Sequence, residues 1–346
     1  MRKKLKILIY SPSYLPKIGG LENTSSAVAK AYVENGHEVN VITQTSLQEE
    51  QEEIEAPYII HRQPSLWQTF KLFYWCNLVH FPNVSLKGVW PLLFLRRTFC
   101  VSHHTTNYSL DGSINFLGRL KYKVASYAHN TSCSYYTNSL LYRKGIVINS
   151  PYNEKQFFPL PTIQRNKELV FLGRLVSDKG CNLIIEALKI LRDTKQIKPK
   201  FSIIGDGPEL NPLKELCLQY QMNEQVEFLG SITGSILNEK LNEHQILIAP
   251  SIWEEPFGKV AIEGLAAGCK VIVSQSGGLP EAVGKLGIIF ERNNSLDLAE
   301  KIELALNAPL PNKYELSQHL QKFSISTIGK KYTQWVEQSF HKNFAK

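Results

Sequence analysis

The sequence predicts an α/β chain made of two doubly wound domains that face each other across a cleft. Short apolar runs alternate with helical patterns over almost all of the 346 residues, which is the mark of βαβ units and parallel sheets. The alternation breaks once, at Pro159-Leu160-Pro161-Thr162, and then resumes. Length, with 43% hydrophobic content, suits two cores rather than one.

The first series starts with LKILIYSP (5–12), a compact strand. The loop SYLPKIGGLE follows, then a helical pattern through Ala27, Val28, Ala31 and Tyr32 that Asn35-Gly36 stops. HEVNVIT resumes a strand. YIIHRQ, NLVHFPN, TFCVSHH, SCSYYT and GIVINS read as further strands, with NFLGRLKYKVASYAH as a helix among them. The acidic QEEQEEIEAP (48–57) reads as an exposed loop. The second series has strands LVFLGRL, FSIIGDG, VEFLGS, ILIAPS and CKVIVS. Its helices are NLIIEALKILRD, LNPLKELCLQY, SILNEKLNEH, FGKVAIEGLAAG and SLDLAEKIELAL. The expected division is a Rossmann-like domain over residues 1–162 and a second over 163–325. A last helical stretch, STIGKKYTQWVEQSFHKN, spaces Ile328, Tyr332 and Val336 by four.

Several classes are disfavoured. No apolar run is long enough to span a bilayer, and the run at Ile7–Tyr10 is too short for a signal sequence. The six cysteines are scattered without a CxxC pair, which argues against a structural zinc site or a disulfide framework and fits a reducing cytoplasm. No metal-ligand spacing appears. Net charge is +8, and it is uneven: between Pro57 and Asn153 stand ten Lys/Arg and a single acid, Asp111. That stretch is either a solvated basic surface or a face for something anionic, such as a membrane, a phosphorylated acceptor or nucleic acid.

Ligands of doubly wound sheets collect at the C-terminal edges of the strands, so the loops there carry the chemistry. Gly19-Gly20 follows the first strand and opens a helix. The pair is either a plain turn or a place where backbone amides approach a phosphate. It is not G-x-G-x-x-G, because the next glycine is Gly36, and a dinucleotide-binding dehydrogenase is disfavoured. His103 and His104 end TFCVSHH; one of them can donate to a ligand or carry a proton, and the bland alternative is a buried or capping histidine. In GRLVSDKG, Arg174 offers a planar fork and Lys179 a mobile point charge, and both suit one diphosphate. Gly205 and Gly207 permit close backbone approach to a flat ligand, and a βα turn explains them nearly as well.

The stretch SIWEEPFGKVAIEGLAAGCKVIVS is the most specific. Pro256 suits a first helical position, which puts Glu255 at the N-cap and Glu254 outside, exposed. The amides of Phe257, Gly258, Lys259 and Val260 would then point out of the helix toward an anion. Glu263 would lie about 10 Å down the axis, the reach of a sugar–diphosphate–ribose unit. Carboxylates accept from hydroxyls and repel phosphate, so one acid suits the sugar and the other the ribose. A glycosidase pair of Glu255 and Glu263 is the competing reading, and the phosphate-binding elements around them disfavour it.

GRLVSDKG, IGDGPEL, VEFLG and PSIWEEPFGKVAIEGLAAGCKVIVSQSGGLPEAV together resemble the retaining glycosyltransferases of family 4, which have the GT-B fold. Glu255 and Glu263 stand as that family's paired acids. In the first half the resemblance is carried by IGGLE, His104-Thr105 and VINSPYNEKQFFP, which has Asn-Ser-Pro where many members have Asn-Gly-Val. The resemblance implies a nucleotide-sugar donor between the domains, with uridine diphosphate favoured and guanosine diphosphate second. It implies Arg174 and Lys179 on the diphosphate, Glu263 on the ribose and Glu255 on the donor sugar. Phe257 to Val260, Gly205, Gly207 and Leu229 would also line the donor. Gly19 and Gly20 would approach the phosphate from the first domain, and His104, with His103 as fallback, would sit by the reacting sugar. It further implies transfer with retention, no metal, no cofactor beyond the donor, and a last helix (326–346) that packs back on the first domain.

A glycan or lipid-linked acceptor is expected, in cell-surface polysaccharide or glycolipid synthesis. The basic first domain then has a use: peripheral attachment to anionic lipid through residues 57–153, on the inner face of the plasma membrane. Phe116, Leu117, Leu120, Val124 and Tyr127 with Arg119, Lys121 and Lys123, and the nearby Phe70, Phe73, Tyr74 and Trp75, are the residues in view. Ordinary core packing is the alternative. A nucleotide-sugar-binding protein without turnover is the second functional reading. A nucleic-acid binder is not expected, since no reader motif is present.

Overall fold

The computed structural model describes residues 4–17, 19–47, 55–109 and 112–344. Ile18, most of the acidic loop (48–54), Asp111 and the last two residues of the terminal helical segment lie outside the described residues. The chain divides into two compact units, Met1–Pro151 with Ile325–Lys346, and Tyr152–Ser324.

In the first unit the elements are β1 (Lys6–Tyr10), α1 (Gly20–Glu34), β2 (Glu38–Thr43), β3 (Ile59–Arg62), α2 (Leu66–Trp75) and β4 (Leu78–Pro82). After a 3₁₀ turn (Trp90–Leu93) come β5 (Thr98–His103), α3 (Phe116–Ala125), β6 (His129–Ser132), α4 (Tyr135–Ser139) and β7 (Ile146–Val147). The strands form one parallel sheet in the order β3-β2-β1-β4-β5-β6-β7. Side chains alternate across it. Ile7 and Ile9 pack with Val28 and Tyr32 of α1, whereas Leu8 and Tyr10 pack with Phe73 of α2 and Ala125 of α3.

Two sequence expectations change here. SCSYYT is not a strand. The strand is HNTS, and the Ser134 hydroxyl accepts from the Thr137 amide (3.0 Å) to start α4 at the tyrosines. Helix α2 was missed, because in LWQTFKLFYW apolar residues stand on every side and Gln68 and Lys71 alone mark an outer face. Its start is nevertheless encoded, by a capping box between Ser65 and Gln68.

The second unit runs β8 (Lys167–Leu172), α5 (Cys181–Lys195), β9 (Phe201–Ile204), α6 (Leu210–Gln219), β10 (Val226–Gly230), α7 (Gly234–Glu243) and β11 (His244–Ala249). It continues with α8 (Lys259–Ala266), β12 (Lys270–Ser274), α9 (Leu279–Val283), β13 (Ile288–Phe290), α10 (Ser295–Asn307) and α11 (Lys313–Gln321). Its six parallel strands are ordered β10-β9-β8-β11-β12-β13. The Pro159–Thr162 break, expected as the linker, belongs to this unit. Buried Asn238 and Asn242 of α7 hold the backbone of Phe158 and Leu160, with the Leu160 amide donating to Asn242 at 2.7 Å. The division therefore falls between Pro151 and Tyr152.

The last helix, α12 (Ile325–Phe344), belongs to the first unit. Ile328, Tyr332, Trp335 and Val336 share the core of α1 and β1. Gly329 lets the helices touch: a Cβ there would lie 2.6 Å from the Cβ of Ala31. Among the described residues no helix is long and apolar enough to cross a membrane.

Candidate functional site

In the second unit the chain leaves β8 for β9 on one side, while β11 leads to β12 on the other. The C-terminal ends of β8 and β11 therefore flank a topological switch point, where loops diverge and a crevice opens. Arg174 and Lys179 lie on the loop after β8, and Glu255 lies on the loop after β11.

Backbone contacts stitch these loops into one rim. The Asp178 carbonyl accepts from the amides of Ile252 (2.9 Å) and Trp253 (3.1 Å). Gly180, at φ 66°, passes so close to Pro250 that a Cβ would sit 2.3 Å from its carbonyl oxygen. The Gly278 amide donates to the Glu255 carbonyl (2.7 Å), and a Cβ on Gly277 would lie 2.1 Å from the same oxygen. Gly205 and Gly207 pack tightly into the rim. Their φ values are 147° and 155°, and Cβ atoms there would meet the carbonyl oxygens of Gly173 at 1.8 Å and Leu175 at 2.3 Å.

Within the rim Lys179 forms an ion pair with Glu255. The Ser251 hydroxyl donates to the same Glu255 oxygen, Oε1, at 2.6 Å. Both protein donors thus sit on one oxygen, and among the described residues none reaches Oε2. The Lys179 ammonium also lies 5.9 Å from the centre of the Trp253 ring. The Arg174 side chain is exposed on the same loop.

The helix after Glu255 begins later than the sequence suggests. α8 starts at Lys259 with Gly258 as its N-cap, at φ 101°, so Pro256 is not a first helical residue and Glu255 is not the cap. The left-handed turn at Gly258 breaks the helical path, and a Cβ there would strike Leu279 Cδ2 at 2.4 Å. The amides of Lys259 and Val260 are the ones without an intrahelical acceptor, while Ala261 donates back to Gly258. Phe257 is buried against Phe323, with ring centres 5.5 Å apart. Glu263 is the fifth helical residue, about 6 Å along the axis from the start rather than 10 Å. Burial raises its carboxyl above the usual carboxylate range, and Lys259 one turn earlier opposes the shift. Burial lowers the Lys259 ammonium in turn, with Glu263 opposing. Glu254 is not free at the surface: it accepts from the Gly277 amide (2.5 Å) and pairs with Arg292. Leu229 lies on the edge strand β10, with β9 between it and β8, and is not brought to Glu255.

In the first unit, Gly19 is the N-cap of α1 and Gly20 its first residue. Buried Glu22 accepts from Ser13 (2.5 Å) beside Gly19. The two histidines part company. His103 is buried, with Nε2 against the Asn130 side-chain oxygen at 3.0 Å, and burial pushes its imidazole down to about 4. His104 is half-buried, its Nε2 shared between Ser102 Oγ (3.0 Å) and Tyr332 Oη (3.4 Å). Asn83, in a left-handed conformation at the end of β4, accepts from the amides of both His104 (2.8 Å) and Thr105 (3.2 Å).

Sequence reasoning missed Asn83, Ser251, Trp253 and the Gly277-Gly278 strap. Only the strap carried a local signal, a glycine pair separated by two residues from the end of a strand.

The description "Glycosyl transferases group 1" matches residues 153–325, half of the chain and nearly all of the second unit. The chain belongs to this family. An uncharacterized glycosyltransferase of Methanocaldococcus jannaschii is 28% identical over 331 residues, covering 81% of this chain and 83% of its own length. The phosphatidylinositol N-acetylglucosaminyltransferase gpi3 subunit of Schizosaccharomyces pombe is 25% identical, over 88% of this chain and 73% of its own. Among solved structures, sucrose-phosphate synthase from Thermosynechococcus elongatus superposes with a TM-score of 0.78 at 18% identity, covering 98% of this chain and 100% of that one. Anabaena HepE in complex with UDP-glucose superposes at 0.73 with 18% identity, over 96% and 100%. The fold is that of the GT-B glycosyltransferases, and the chain is a group 1 glycosyltransferase.

Proposed function

We propose that this glycosyltransferase moves a hexose-type sugar, with retention at the anomeric carbon, from a nucleotide-diphosphate sugar to a glycan or lipid-linked acceptor in cell-surface polysaccharide or glycolipid synthesis. The observation that carries the reading is the Lys179–Glu255 pair, held at the β8/β11 switch point directly before the start of α8. Lys179 keeps two further donor hydrogens for a diphosphate, Arg174 adds a planar fork, and the amides of Lys259 and Val260 add the positive end of a helix. Glu255 Oε2 accepts from a sugar hydroxyl, and Glu263 accepts from the ribose. As the sugar–oxygen bond to the diphosphate breaks, these fixed donors take the leaving charge without a metal ion. A diphosphate oxygen then accepts the acceptor's proton on the same face. His104, held by Asn83 and Ser102, is the first unit's proposed contribution to the reaction, and Gly19 and Gly20 are proposed as backbone contacts to a phosphate.

A uridine donor is favoured over guanosine. It is supported by the UDP-glucose complex of a protein of this fold, and a lipid-linked acceptor is supported by the name of the phosphatidylinositol transferase relative. The proposed setting is the cytoplasm, whose reducing conditions suit six scattered, unpaired cysteines.

The test is a thermal-shift screen of the full chain against UDP- and GDP-sugars, repeated with Lys179→Ala and Glu263→Ala. A stabilising shift that shrinks in both variants is expected. Glu255→Ala should lower turnover by about 100-fold or more while leaving folding intact. A ligand shift unchanged in both variants would remove Lys179 and Glu263 from the donor site. Binding without product across acceptors would leave a nucleotide-sugar-binding protein.

A further inference from the structure

α2, the 3₁₀ turn at Trp90–Leu93 and α3 all bury residues against the same face of the first sheet, so their outward sides form one surface of that unit. A helix so placed is expected to be polar outside. α2 is not: it buries Thr69 and Phe73 and leaves Leu66, Trp67 and Tyr74 exposed at 74%, 64% and 69%. Leu93 and Phe94 are exposed at 81% and 72%. The aromatic rings form a continuous ladder. Trp67 stacks on Phe70 (6.2 Å, 3°), Phe70 on Trp90 (6.1 Å, 22°), and Trp90 meets Phe94 edge-on (6.5 Å, 71°).

Cations are set among these rings. Lys71 lies 5.3 Å over Trp67, and Arg97 lies 5.8 Å over Tyr74. Lys87 and Arg96 flank the 3₁₀ turn. From Ala56 to Leu110 the sequence has no Asp or Glu at all. On α3, packed on the same face of the sheet, Phe116 and Leu117 are also exposed, as are Arg119 and Lys123.

We propose that this surface docks the protein on an anionic phospholipid bilayer. Trp67, Leu93 and Phe94 enter the interfacial layer, and Lys71, Lys87 and Arg96 meet lipid phosphates. Tryptophan and tyrosine rings with long cationic side chains are what a headgroup region accommodates. Protein–protein interfaces instead exclude lysine from their apolar centres. Single-stranded nucleic acid needs open ring faces to stack on. Here Phe70 and Lys71 already lie against the Trp67 ring, and the exposed leucines offer a base nothing. The Phe73 and Trp75 of the sequence reading do not take part: Phe73 is core, and Trp75 is half-buried with Lys6 over its ring at 5.8 Å.

The inference stands independently of the donor reading, and flotation of the full chain tests it. Vesicles of phosphatidylcholine alone are compared with phosphatidylcholine containing phosphatidylglycerol, at low and high salt. The wild type should float with the anionic vesicles and stay behind with the neutral ones. Lys71→Glu with Lys87→Glu and Arg96→Glu should weaken binding by about tenfold or more. Trp67→Ser with Leu93→Ser and Phe94→Ser should remove the binding that survives high salt. Trp67→Phe should float normally but lose part of the tryptophan quenching by brominated lipid, the remainder coming from half-buried Trp90. Nucleotide-sugar thermal shifts, read in parallel, should be unchanged in all three, which separates this outcome from failure of the donor site. The proposal is overturned if the wild type ignores anionic vesicles at low salt. It is also overturned if the charge and apolar variants both float as the wild type does, or if single-stranded RNA or another protein occupies the surface while vesicles do not.

Discussion

The two units share a doubly wound plan but build their strand ends from different materials. In the second unit the rim is main chain: Gly180, Gly205, Gly207 and Gly277 each bring one loop's backbone against another's carbonyl oxygen, and the side chains that matter hang from that frame. In the first unit the corresponding region is side chain. Asn83, Ser102 and Tyr332 hold His104, Asn130 holds His103 on the other face of the sheet, and buried His80 shares Ser102 and Tyr332 with His104. In the proposed reaction a diphosphate presents the same groups whatever sugar it carries, and a backbone frame suits it. Side chains, unlike main chain, change with the sequence, so the first unit's strand ends are the part that substitution can retune.

The largest expected effect tests the backbone frame. Gly205→Ala would combine a positive φ with a Cβ 1.8 Å from the Gly173 oxygen, whereas Gly36→Ala in the first unit has a positive φ and open space around it. The first should cost about 3 kcal/mol or more and lower the melting temperature by roughly 6–12 °C. The second should cost about 1 kcal/mol. Equal melting shifts would show that the close approach in the second unit contributes nothing.

Next in size is a pH effect from two buried histidines of the first unit. Burial drives the imidazoles of His103 to about 4 and His80 to about 3 from 6.5. Both are neutral when folded and take up protons when unfolded. Stability is therefore full above pH 6.5 and is lost as pH falls toward 4 for His103 and toward 3 for His80. Each should cost about 2 kcal/mol between pH 6.5 and 5. His103→Gln keeps a donor for Asn130 and should make the fall in melting temperature shallower. An unchanged slope would exclude His103 as a source.

The smallest effect concerns α2, whose exposed side needs its capping box more than a helix with a full apolar stripe does. Ser65→Ala should cost about 1 kcal/mol, read by chemical denaturation of the full chain. A cost near zero would mean that packing through Phe73 alone holds the helix.

The sequence by itself determined the two α/β units, most strands and the importance of the loops after them. Alternating apolar runs and turn residues are local signals, and GRLVSDKG and SIWEEPFGK are contiguous. It also singled out Arg174, Lys179, Glu255 and Glu263. Tertiary structure decided what local pattern does not encode. Asn238 and Asn242, some eighty residues from Phe158, moved the unit boundary. Gly277 and Leu279, from the next strand's loop, pack against Glu255 and Gly258, and α8 starts only at Lys259. The separation of His103 from His104 depended on strand alternation placing them against Asn130 and Tyr332, partners far along the chain. The common reason is that a backbone's path through a crowded rim is set by which distant carbonyl it must clear, and that distance exists only once the sheet has formed.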